Sequence, residues 1–481
     1  MTPTKRRMAL ASARMAAGVV GIAVATAAVT GAAFVDWPNV TKPVPSAVIT
    51  PQPDQQTRVC PGPLLTLAED SSQASAATSV GAVDPVSAAV DANEAPVPVT
   101  VTPLEATDNA DAGADGSPLL LRADAGSVQP LLAGSQAQTA SADTIGGLAA
   151  AACTEATGDS WLVGGSTDLG HTSLVLLSNP STVAATVDLT VYGETGQVDA
   201  PGSTGILVQP GSQRIVSLAG LAPNVGSPVV RVQSRGGQVA ASLEESVVQG
   251  IQTDGVELVG PTNGPAAEQV IPGIVVPRPV ASAADQSDPS AQPPAEVEAP
   301  SARVLALGEK AATVQVGLIN EDGASAGTSL QVQLQPGLAT KVPLDGVAPG
   351  RYTMRLISDQ PIVAAARTTA VGDFAWFTAS APHTADFLAA VPDAPQPVLH
   401  LFNTAETDAS PSVTQDGNTP VPVTVPAGQA VAVPVAPGSR VTVAGGADLV
   451  AALSFSGDGL LSAFAVTPPG ALASPITVYT R

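Results

Sequence analysis

The sequence predicts an all-β protein, built as tandem immunoglobulin-like β-sandwich modules that follow a single N-terminal transmembrane helix. Three observations support this fold class. The 481 residues include 45 Gly and 45 Pro but only 12% charged residues, a composition typical of short strands joined by tight turns. Apolar and polar residues alternate over long stretches, which indicates half-buried strands. A strand-turn-strand pattern also occurs three times, which favours several similar modules.

The first predicted element is the membrane helix. After a basic cytoplasmic tail at 1–14, the 21 residues from Met15 to Val35 carry no charge, and about 20 apolar residues span a bilayer. The preceding basic residues place the N-terminus in the cytoplasm. Two interpretations remain open: a retained signal anchor at 15–35, or a signal peptide cleaved after small residues such as Ala25-Thr26-Ala27. We expect a single-pass protein of the cell membrane with an extracellular body, or a secreted protein if the signal is cleaved.

Next comes a Pro-rich linker at 36–56, and then a first predicted β-sandwich module at 57–280. A stretch rich in Ala, Ser, Asp and Gly predicts a partly disordered acidic insertion at 69–116 of that module. The two cysteines, Cys60 and Cys153, both follow the membrane segment. In an exported chain such a pair most simply forms one disulfide, and the alternative is two free thiols.

Two breaks divide the remaining chain. Residues 281–300 are rich in Pro, Ala and acidic residues and are predicted to be a linker, which is followed by a second module at 301–390. A shorter break, VPDAPQP at 391–397, leads into a third module at 394–481.

The repeat is clearest around its turns. The matching segments are VQPGSQRIVSLAGL at 208–221, LQPGLATKVPLDGV at 334–347 and VPAGQAVAVPVAPG at 425–438. Pro fixes φ in such a turn, and Gly accepts the positive φ that the turn requires. Each segment is followed by a strand and then by a second strand of small residues, as in GGQVAAS at 236–242, which predicts close packing against an opposite sheet.

Three features together resemble a known family. They are the basic N-terminus with one membrane segment, the CPGP at Cys60 to Pro63, and the segment WLVGGSTDLGHTSLVLLSNPSTVAATVDLTVYGETG with its Asn179-Pro180. The chain resembles, from about residue 57 onward, the actinobacterial proteins of the domain-of-unknown-function 5719 family. The resemblance implies a single anchor, an extracellular body and a loose association with membrane glycosyltransferases. It supplies no active site, so no functional residue is carried over.

Catalytic patterns are weak. A nucleophile elbow needs GxSxG, and the string around Ser166, GGSTD, lacks the final Gly. His171 lies close to Ser166 in sequence, but nearness in sequence does not indicate a catalytic pair. Glu244 and Glu245 are adjacent, so on a strand they face opposite sides and cannot act together on one substrate. We expect no enzyme activity and no catalytic residues.

Metal and cofactor signals are equally weak. The histidines fall in different modules without zinc-site spacing, at His171, His383 and His400. Three aspartates, Asp108, Asp111 and Asp115, only partly match a calcium loop, because oxygen ligands are missing at two of its positions. No phosphate-binding glycine loop occurs. We expect no metal and no cofactor.

The densest aromatic cluster is DFAWFTAS, in which Phe374 and Trp376 share one face of an alternating strand and Phe377 lies on the other. The expected role of this cluster is a core or intermodule contact. The alternative is that Phe374 and Trp376 form a partner or ligand patch.

These observations favour a non-enzymatic scaffold of the cell envelope that is structural or mediates interactions. The alternative is a glycan-binding accessory to envelope polysaccharide synthesis or export. An unfamiliar envelope hydrolase is a third, less favoured candidate. The expected partners are a cell-envelope protein, such as a membrane glycosyltransferase, or cell-wall glycan. The net charge of −22 argues against nucleic-acid binding. The sequence does not predict the oligomeric state.

Overall fold

The computed structural model describes Val20 and residues 46–49, 55–67, 77–91, 94–109, 116–124, 129–142, 144–278, 298–323, 328–469 and 476–479. The chain divides into a small unit, residues 1–51 with 474–481, and a large one, residues 52–473. In the small unit, β1 (Ser46–Ile49) pairs antiparallel with β35 (Ile476–Tyr479). The predicted membrane span at 15–35 lies, apart from Val20, outside the described residues. Among those described, no helix is both long and apolar enough to cross a bilayer.

The large unit begins with an N-terminal region of small sheets. Its strands are β2 (Gln55–Cys60), β3 (Leu65–Leu67), β4 (Ala77–Ser79), β5 (Val86–Val90), β6 (Val99–Pro103), β7 (Glu105–Ala106), β8 (Leu119–Asp124), β9 (Leu131–Ala142) and β10 (Ile145–Ala152). They form the sheets β2-β8-β6, β10-β9-β5 and β3-β4, while β7 joins a later sheet. The predicted disulfide is confirmed: Cys60 at the end of β2 is bonded to Cys153, just after β10.

The predicted insertion at 69–116 contributes four of these strands, β4 to β7. Three parts of it, 69–76, 92–93 and 110–115, lie outside the described residues. Alternation explains why β5 forms: its inner residues Ala88 and Val90 are buried together with Leu388 of a distant strand.

A first sandwich follows. Its elements are β11 (Asp159–Val163), β12 (His171–Asn179), β13 (Ala185–Gly193), β14 (Gly196–Gln197), β15 (Ile206–Val208), β16 (Ser212–Ser217), α1 (Leu218–Leu221), β17 (Val229–Gly236), β18 (Ala240–Gln249) and β19 (Gln252–Val259). One sheet has the order β11-β17-β13-β14, with β15 also paired to β13, and the other is β19-β18-β12-β16-β7. The two sheets share one core, in which Val187 and Val230 of the first sheet meet Val175 and Leu243 of the second.

The same strand order recurs twice. The second sandwich holds β20 (Ala266–Val276), β21 (Ser301–Ala306), β22 (Ala312–Asn320), β23 (Thr328–Leu334), β24 (Ala339–Pro343), β25 (Gly350–Ala370) and β26 (Asp373–Thr378). The third holds β27 (Phe387–Ala390), β28 (Val398–Asn403), β29 (Ser412–Gln415), β30 (Val421–Pro422), β31 (Ala430–Pro434), β32 (Arg440–Ala444), β33 (Leu449–Gly457) and β34 (Leu460–Val466). The predicted all-β class is therefore confirmed.

Sheet pairing differs between the copies in one respect. In the first and third sandwiches the two sheets are separate, β27-β32-β29-β30 and β31-β28-β33-β34 in the third. In the second, the 21-residue strand β25 pairs with β20 and β22 and also with β21 and β26, so both sheets are joined. Because β20 precedes residues 281–300 and β25 follows them, hydrogen bonding spans this predicted linker.

The repeated turns have the conformation that the sequence predicts. Gly211, Gly337 and Gly428 occupy equivalent places in the three copies and have φ of 66°, 73° and 64°. These values lie in the left-handed region, where a residue with a Cβ is disfavoured. The Pro-Gly and Pro-Ala-Gly signatures therefore mark turns that join the sheet strands of each sandwich.

A second repeated feature is an asparagine that ends one strand of each copy. Asn179 Nδ2 donates to the carbonyl oxygens of Val183 and Val208, at 2.8 and 3.1 Å. Asn403 Nδ2 makes the equivalent two bonds, to the carbonyl oxygens of Thr407, four residues on, and of Val425. Asn320 ends β22 and accepts a hydrogen bond from the Asp322 amide. The shared Leu-x-Asn spacing is visible in the sequence, at 177–179, 318–320 and 401–403.

Candidate functional site

Several buried charged side chains of the large unit lie where the sandwiches meet. We call the contact between the first and second sandwiches the first joint. At its centre is Glu245 of β18, 1% exposed, whose carboxylate accepts hydrogen bonds from His171 Nδ1 at 3.0 Å and from Trp376 Nε1 at 2.7 Å. Burial alone raises the pKa of Glu245, but the bond from His171 and the nearby Arg367 charge outweigh burial and hold the pKa below its ordinary value.

Two arginines complete the first joint. Arg303 of β21 donates to the carbonyl oxygens of Gly165 and Pro228, at 2.8 and 2.9 Å, and its guanidinium lies 4.6 Å from the centre of the Trp376 ring. Arg367 lies at the same distance from the Phe374 ring. Burial lowers the pKa of Arg303 to about 10, so it is still a cation at neutral pH. The joint therefore encloses charges that are compensated by neighbours rather than by solvent.

The second joint connects the second and third sandwiches. His400 of β28 is fully buried, and its Nδ1 bonds to Glu321 while its Nε2 lies 2.7 Å from Ser454 Oγ. The other oxygen of Glu321 accepts from Thr353 Oγ1 at 2.7 Å and from the Gly273 amide at 3.3 Å. Burial raises the pKa of Glu321, and the His400 charge and hydrogen bond reverse this shift and lower it.

Gly273 is required where it lies. Its φ is 76°, and a Cβ at this position would lie 2.7 Å from Cδ2 of the His400 ring. A side chain here would push the histidine away from Glu321, so β20 approaches β28 closely only because residue 273 has none.

Acid, imidazole and hydroxyl groups in series have the order of a hydrolase triad, in which a histidine oriented by a carboxylate activates a serine. In this chain Ser454 lies in the middle of β33 and is 2% exposed. Four cavities at the surface of the described residues are lined by neither Ser454 nor His400. A substrate carbonyl could not reach the hydroxyl without separating the sandwiches. The hydrogen bonds of His400 instead join the second sandwich, through Glu321, to strands β28 and β33 of the third.

A third group, the central cluster, consists of Asp373, Glu257 and Ser462. Asp373 of β26 accepts hydrogen bonds from the amides of Leu148 and Leu461, both at 3.0 Å, and Ser462 Oγ donates to Glu257 at 2.7 Å. These contacts join β10 and all three sandwiches at one place. Burial raises the pKa of Asp373 to about 7 and that of Glu257 well above its ordinary value.

Glu244 is the counterpart of Glu245 on the opposite face of β18, as the sequence predicted for neighbouring strand residues. It accepts a hydrogen bond from the Leu65 amide at 2.8 Å, and its other oxygen is buried without a partner. Burial raises its pKa to about 8.

Phe374 and Trp376, for which the sequence favoured a core or intermodule contact and allowed a partner or ligand patch, are not at the surface. Their side chains are 0% and 3% exposed and pack into the core of the first sandwich, because the face of β26 that carries them is covered by that sandwich. The alternative patch interpretation is therefore corrected: these residues belong to an intermodule contact, the role that the sequence favoured.

The remaining candidates are separated from one another. Ser166 Oγ accepts from the Asp168 amide at 3.1 Å, whereas His171 turns to Glu245. His383 Nε2 bonds to the Val466 carbonyl oxygen at 2.9 Å, and burial lowers its pKa to about 4. Asp108 accepts from the Ile215 amide, and the other two aspartates of the calcium-like stretch lie outside the described residues. Within the described ranges no cluster of His, Cys, Asp or Glu could hold a metal ion.

Sequence reasoning missed both joints. Glu321 and His400 are 79 positions apart, and Glu245 and Trp376 are 131 apart. The only local signal was a charged residue in an otherwise apolar strand: Glu244 and Glu245 lie within β18, and His400 lies between Leu399 and Leu401.

Two open cavities adjoin each other on the surface of the large unit. The first has a volume of about 480 Å³ and is lined mainly by polar side chains, among them Arg122, Gln55, Gln129 and Gln238. The second, of about 310 Å³, includes Trp161, Asn263 and Ser160. Glu155 and Pro469 line both cavities, so the two form one elongated groove.

Comparison with known proteins gives a family but no function. A family model described as "Family of unknown function (DUF5719)" matches residues 105–436, more than half of the chain. No curated protein matches the sequence. A solved structure described as "Biofilm associated protein - BSP domain" is 9% identical, with 87% of this chain and 91% of that chain covered and a TM-score of 0.11. Similarity at this TM-score supports no argument.

Proposed function

Because the chain belongs to the family of unknown function DUF5719, which offers no activity to transfer, we propose its function from its architecture. It acts as a non-enzymatic, membrane-anchored extracellular scaffold of the cell envelope. The proposal includes the signal anchor at 15–35, the immunoglobulin-like character of the sandwiches and an envelope protein as the partner.

The observation that supports this role most strongly is the central cluster. Asp373 and Glu257 are bonded by backbone or hydroxyl groups from β10 and from the third sandwich, although they themselves belong to the second and first sandwiches. Buried polar groups are costly unless each finds its partner, so such a cluster favours one arrangement of the modules over others. A scaffold needs a fixed arrangement of its surfaces more than it needs a reactive group.

The joints support the same role. Their charged and nucleophilic groups, Glu245, Glu321, His400 and Ser454, are all at most 8% exposed and bond to one another or to neighbouring strands. Groups used in this way are not available to a substrate.

The test is a crosslinking pull-down of the tagged full-length chain from its native membranes, with an unrelated single-pass protein as the control bait. The scaffold role predicts enrichment of an envelope protein, and it predicts that His400→Leu, which breaks the second joint, reduces this enrichment. Arg351→Leu is the matched variant, because it breaks only an exposed ion pair with Asp322. Recovery of no envelope protein above the control bait contradicts the proposal.

The alternative, a glycan-binding accessory, is favoured by one observation, the polar groove that contains Arg122 and Trp161. It predicts that the same pull-down recovers cell-wall glycan in place of an envelope protein.

A further inference from the structure

The groove contains a cation that no described group neutralises. Arg122 lies on β8, the middle strand of its sheet, opposite Thr57 of β2 and Thr100 of β6. Its side chain lines the first cavity, and its Nε is buried with no hydrogen-bond partner among the described residues. The buried Nε is itself out of reach of a ligand, so an anion in the cavity would meet the part of the guanidinium that lines it.

The acidic residue of the same cavity, Glu155, is not the anion that pairs with Arg122. Glu155 also lines the cavity, but its carboxylate forms an ion pair with Arg58. The guanidinium of Arg122 therefore remains the cationic group of the cavity that is free to meet an anion. A planar guanidinium favours carboxylate and phosphate groups, which it can bind through two parallel hydrogen bonds.

The rest of the lining indicates what surrounds that anion. Gln55, Gln129, Gln238 and Ser181 offer uncharged donors and acceptors, which suit hydroxyl groups. In the second cavity Asn263 and Ser160 continue this lining beside Trp161, whose ring packs against Tyr192 at 6.0 Å. Amide and hydroxyl side chains thus occur in both cavities, together with Pro and Ala residues in the second. A peptide chain would more simply add to an exposed sheet edge.

We propose that this groove binds an acidic saccharide, with the acid group on Arg122 and the sugar hydroxyls on the glutamine amides. A cavity of about 480 Å³ falls in the size range of small-ligand sites, and the adjoining 310 Å³ extends it for an oligomer. The chain carries a net charge of −22 and repels anions in general, so selectivity arises from direct contact with Arg122. This inference does not depend on the scaffold role.

The experiment is calorimetric titration of the full chain in detergent with four probes. They are tetragalacturonate, its neutral galactose tetramer, glucose 6-phosphate and tetra-aspartate, so that carboxylate, phosphate and peptide sources of the acid group are distinguished. Binding of tetragalacturonate or glucose 6-phosphate, with the neutral tetramer and tetra-aspartate at least about tenfold weaker, is the expected result.

Three variants assign that binding to the groove. Arg122→Gln should weaken it by about tenfold or more, since it removes a charge-assisted hydrogen bond. Gln238→Ala, which changes an exposed loop residue of the groove and leaves the strands intact, should weaken it by a few fold, on the scale of one neutral hydrogen bond. Arg351→Gln, at an exposed position of the second sandwich, should leave it unchanged.

The inference is overturned if no probe binds, if the neutral tetramer or tetra-aspartate binds as tightly as the acidic sugars, or if binding is the same in Arg122→Gln and Gln238→Ala as in the unmodified chain. The thermal unfolding midpoint of each variant separates lost binding from lost folding.

Discussion

The two faces of β18 show how differently the same side chain behaves in neighbouring surroundings. Glu244 and Glu245 are both buried, yet the pKa of Glu244 is raised and that of Glu245 is lowered. Glu244 faces the N-terminal region and meets one backbone amide. Glu245 faces the first joint and meets His171 and Trp376, with Arg367 nearby.

The difference shows that burial does not decide the charge of a group in this chain; its partners do. The pKa of Glu321 is lowered like that of Glu245, because His400 pairs with it. The pKa values of Asp373 and Glu257 are raised like that of Glu244. The two joints are thus held by carboxylates whose pKa is lowered, whereas the contact of β18 with the N-terminal region and the central cluster contain carboxyl groups whose pKa is raised.

The largest expected effect comes from breaking the second joint. His400→Leu leaves the Glu321 carboxylate buried without its partner, so we expect a loss of about 3–5 kcal/mol in the free energy of unfolding. Urea denaturation at pH 7 measures this loss. Arg351→Leu, which breaks an exposed pair, should cost less than about 1 kcal/mol. Equal losses in the two variants would contradict the distinction between buried and exposed pairs.

The next effect separates the two faces of β18 by pH. The pKa of Glu244 is about 8 in the folded chain and 4.5 ordinarily, so the unfolded chain loses this proton first as pH rises. The free energy of unfolding should therefore fall between these two pH values, by an amount on the order of a few kcal/mol. Glu244→Gln, an analogue of the protonated form, should remove this part of the decline, as seen in denaturation series from pH 4 to pH 9.

Glu245→Gln is the matched variant and should behave in the opposite way. Because the pKa of Glu245 is lowered, its stabilisation is present above pH 4.5 and is lost as pH falls through the folded value. The variant should therefore be less stable than the unmodified chain at pH 7, and the difference should shrink in acid. The same pH response in both variants would refute the contrast between the two faces.

A smaller effect isolates one hydrogen bond of the first joint. Trp376→Phe removes the indole donor to Glu245, and we expect a loss of about 1–3 kcal/mol. A double-mutant cycle with Glu245→Gln tests the assignment, because the cost of Trp376→Phe should be smaller when the carboxylate is already absent. An unchanged cost would mean that packing of the ring, and not its N–H group, holds the joint.

Local pattern was sufficient for many strands of the sandwiches, although not for β4 to β7 in the stretch predicted to be partly disordered. Alternation at 185–191 predicts β13, and the Pro-Gly turns predict the left-handed glycines at 211 and 337. The Cys60–Cys153 disulfide followed from the cysteine count and the exported context. The strands and turns depend on residues that are near in sequence, and the disulfide could be predicted because the chain has only two cysteines to pair.

The joints could not be predicted in this way, because each is formed by strands of different sandwiches. Nothing in the periodicity around Glu321 indicates that the strand bearing His400 will pack against it. A buried charge in an apolar strand predicts that a partner exists, but the packing of modules decides which one. The repeated Leu-x-Asn was in contrast available from the sequence, since the three copies have the same spacing.

The long strand β25 has a consequence for how the large unit unfolds locally. Its first half pairs with β20 and β22 and its second half with β21 and β26, so the two sheets of the second sandwich share one backbone. Neither sheet can separate without disturbing the other, whereas the outer sandwiches have two independent strands at this place. In hydrogen exchange, the amides of both middle sheets should behave as one cooperative unit, which makes the second sandwich the slowest part of the body to open.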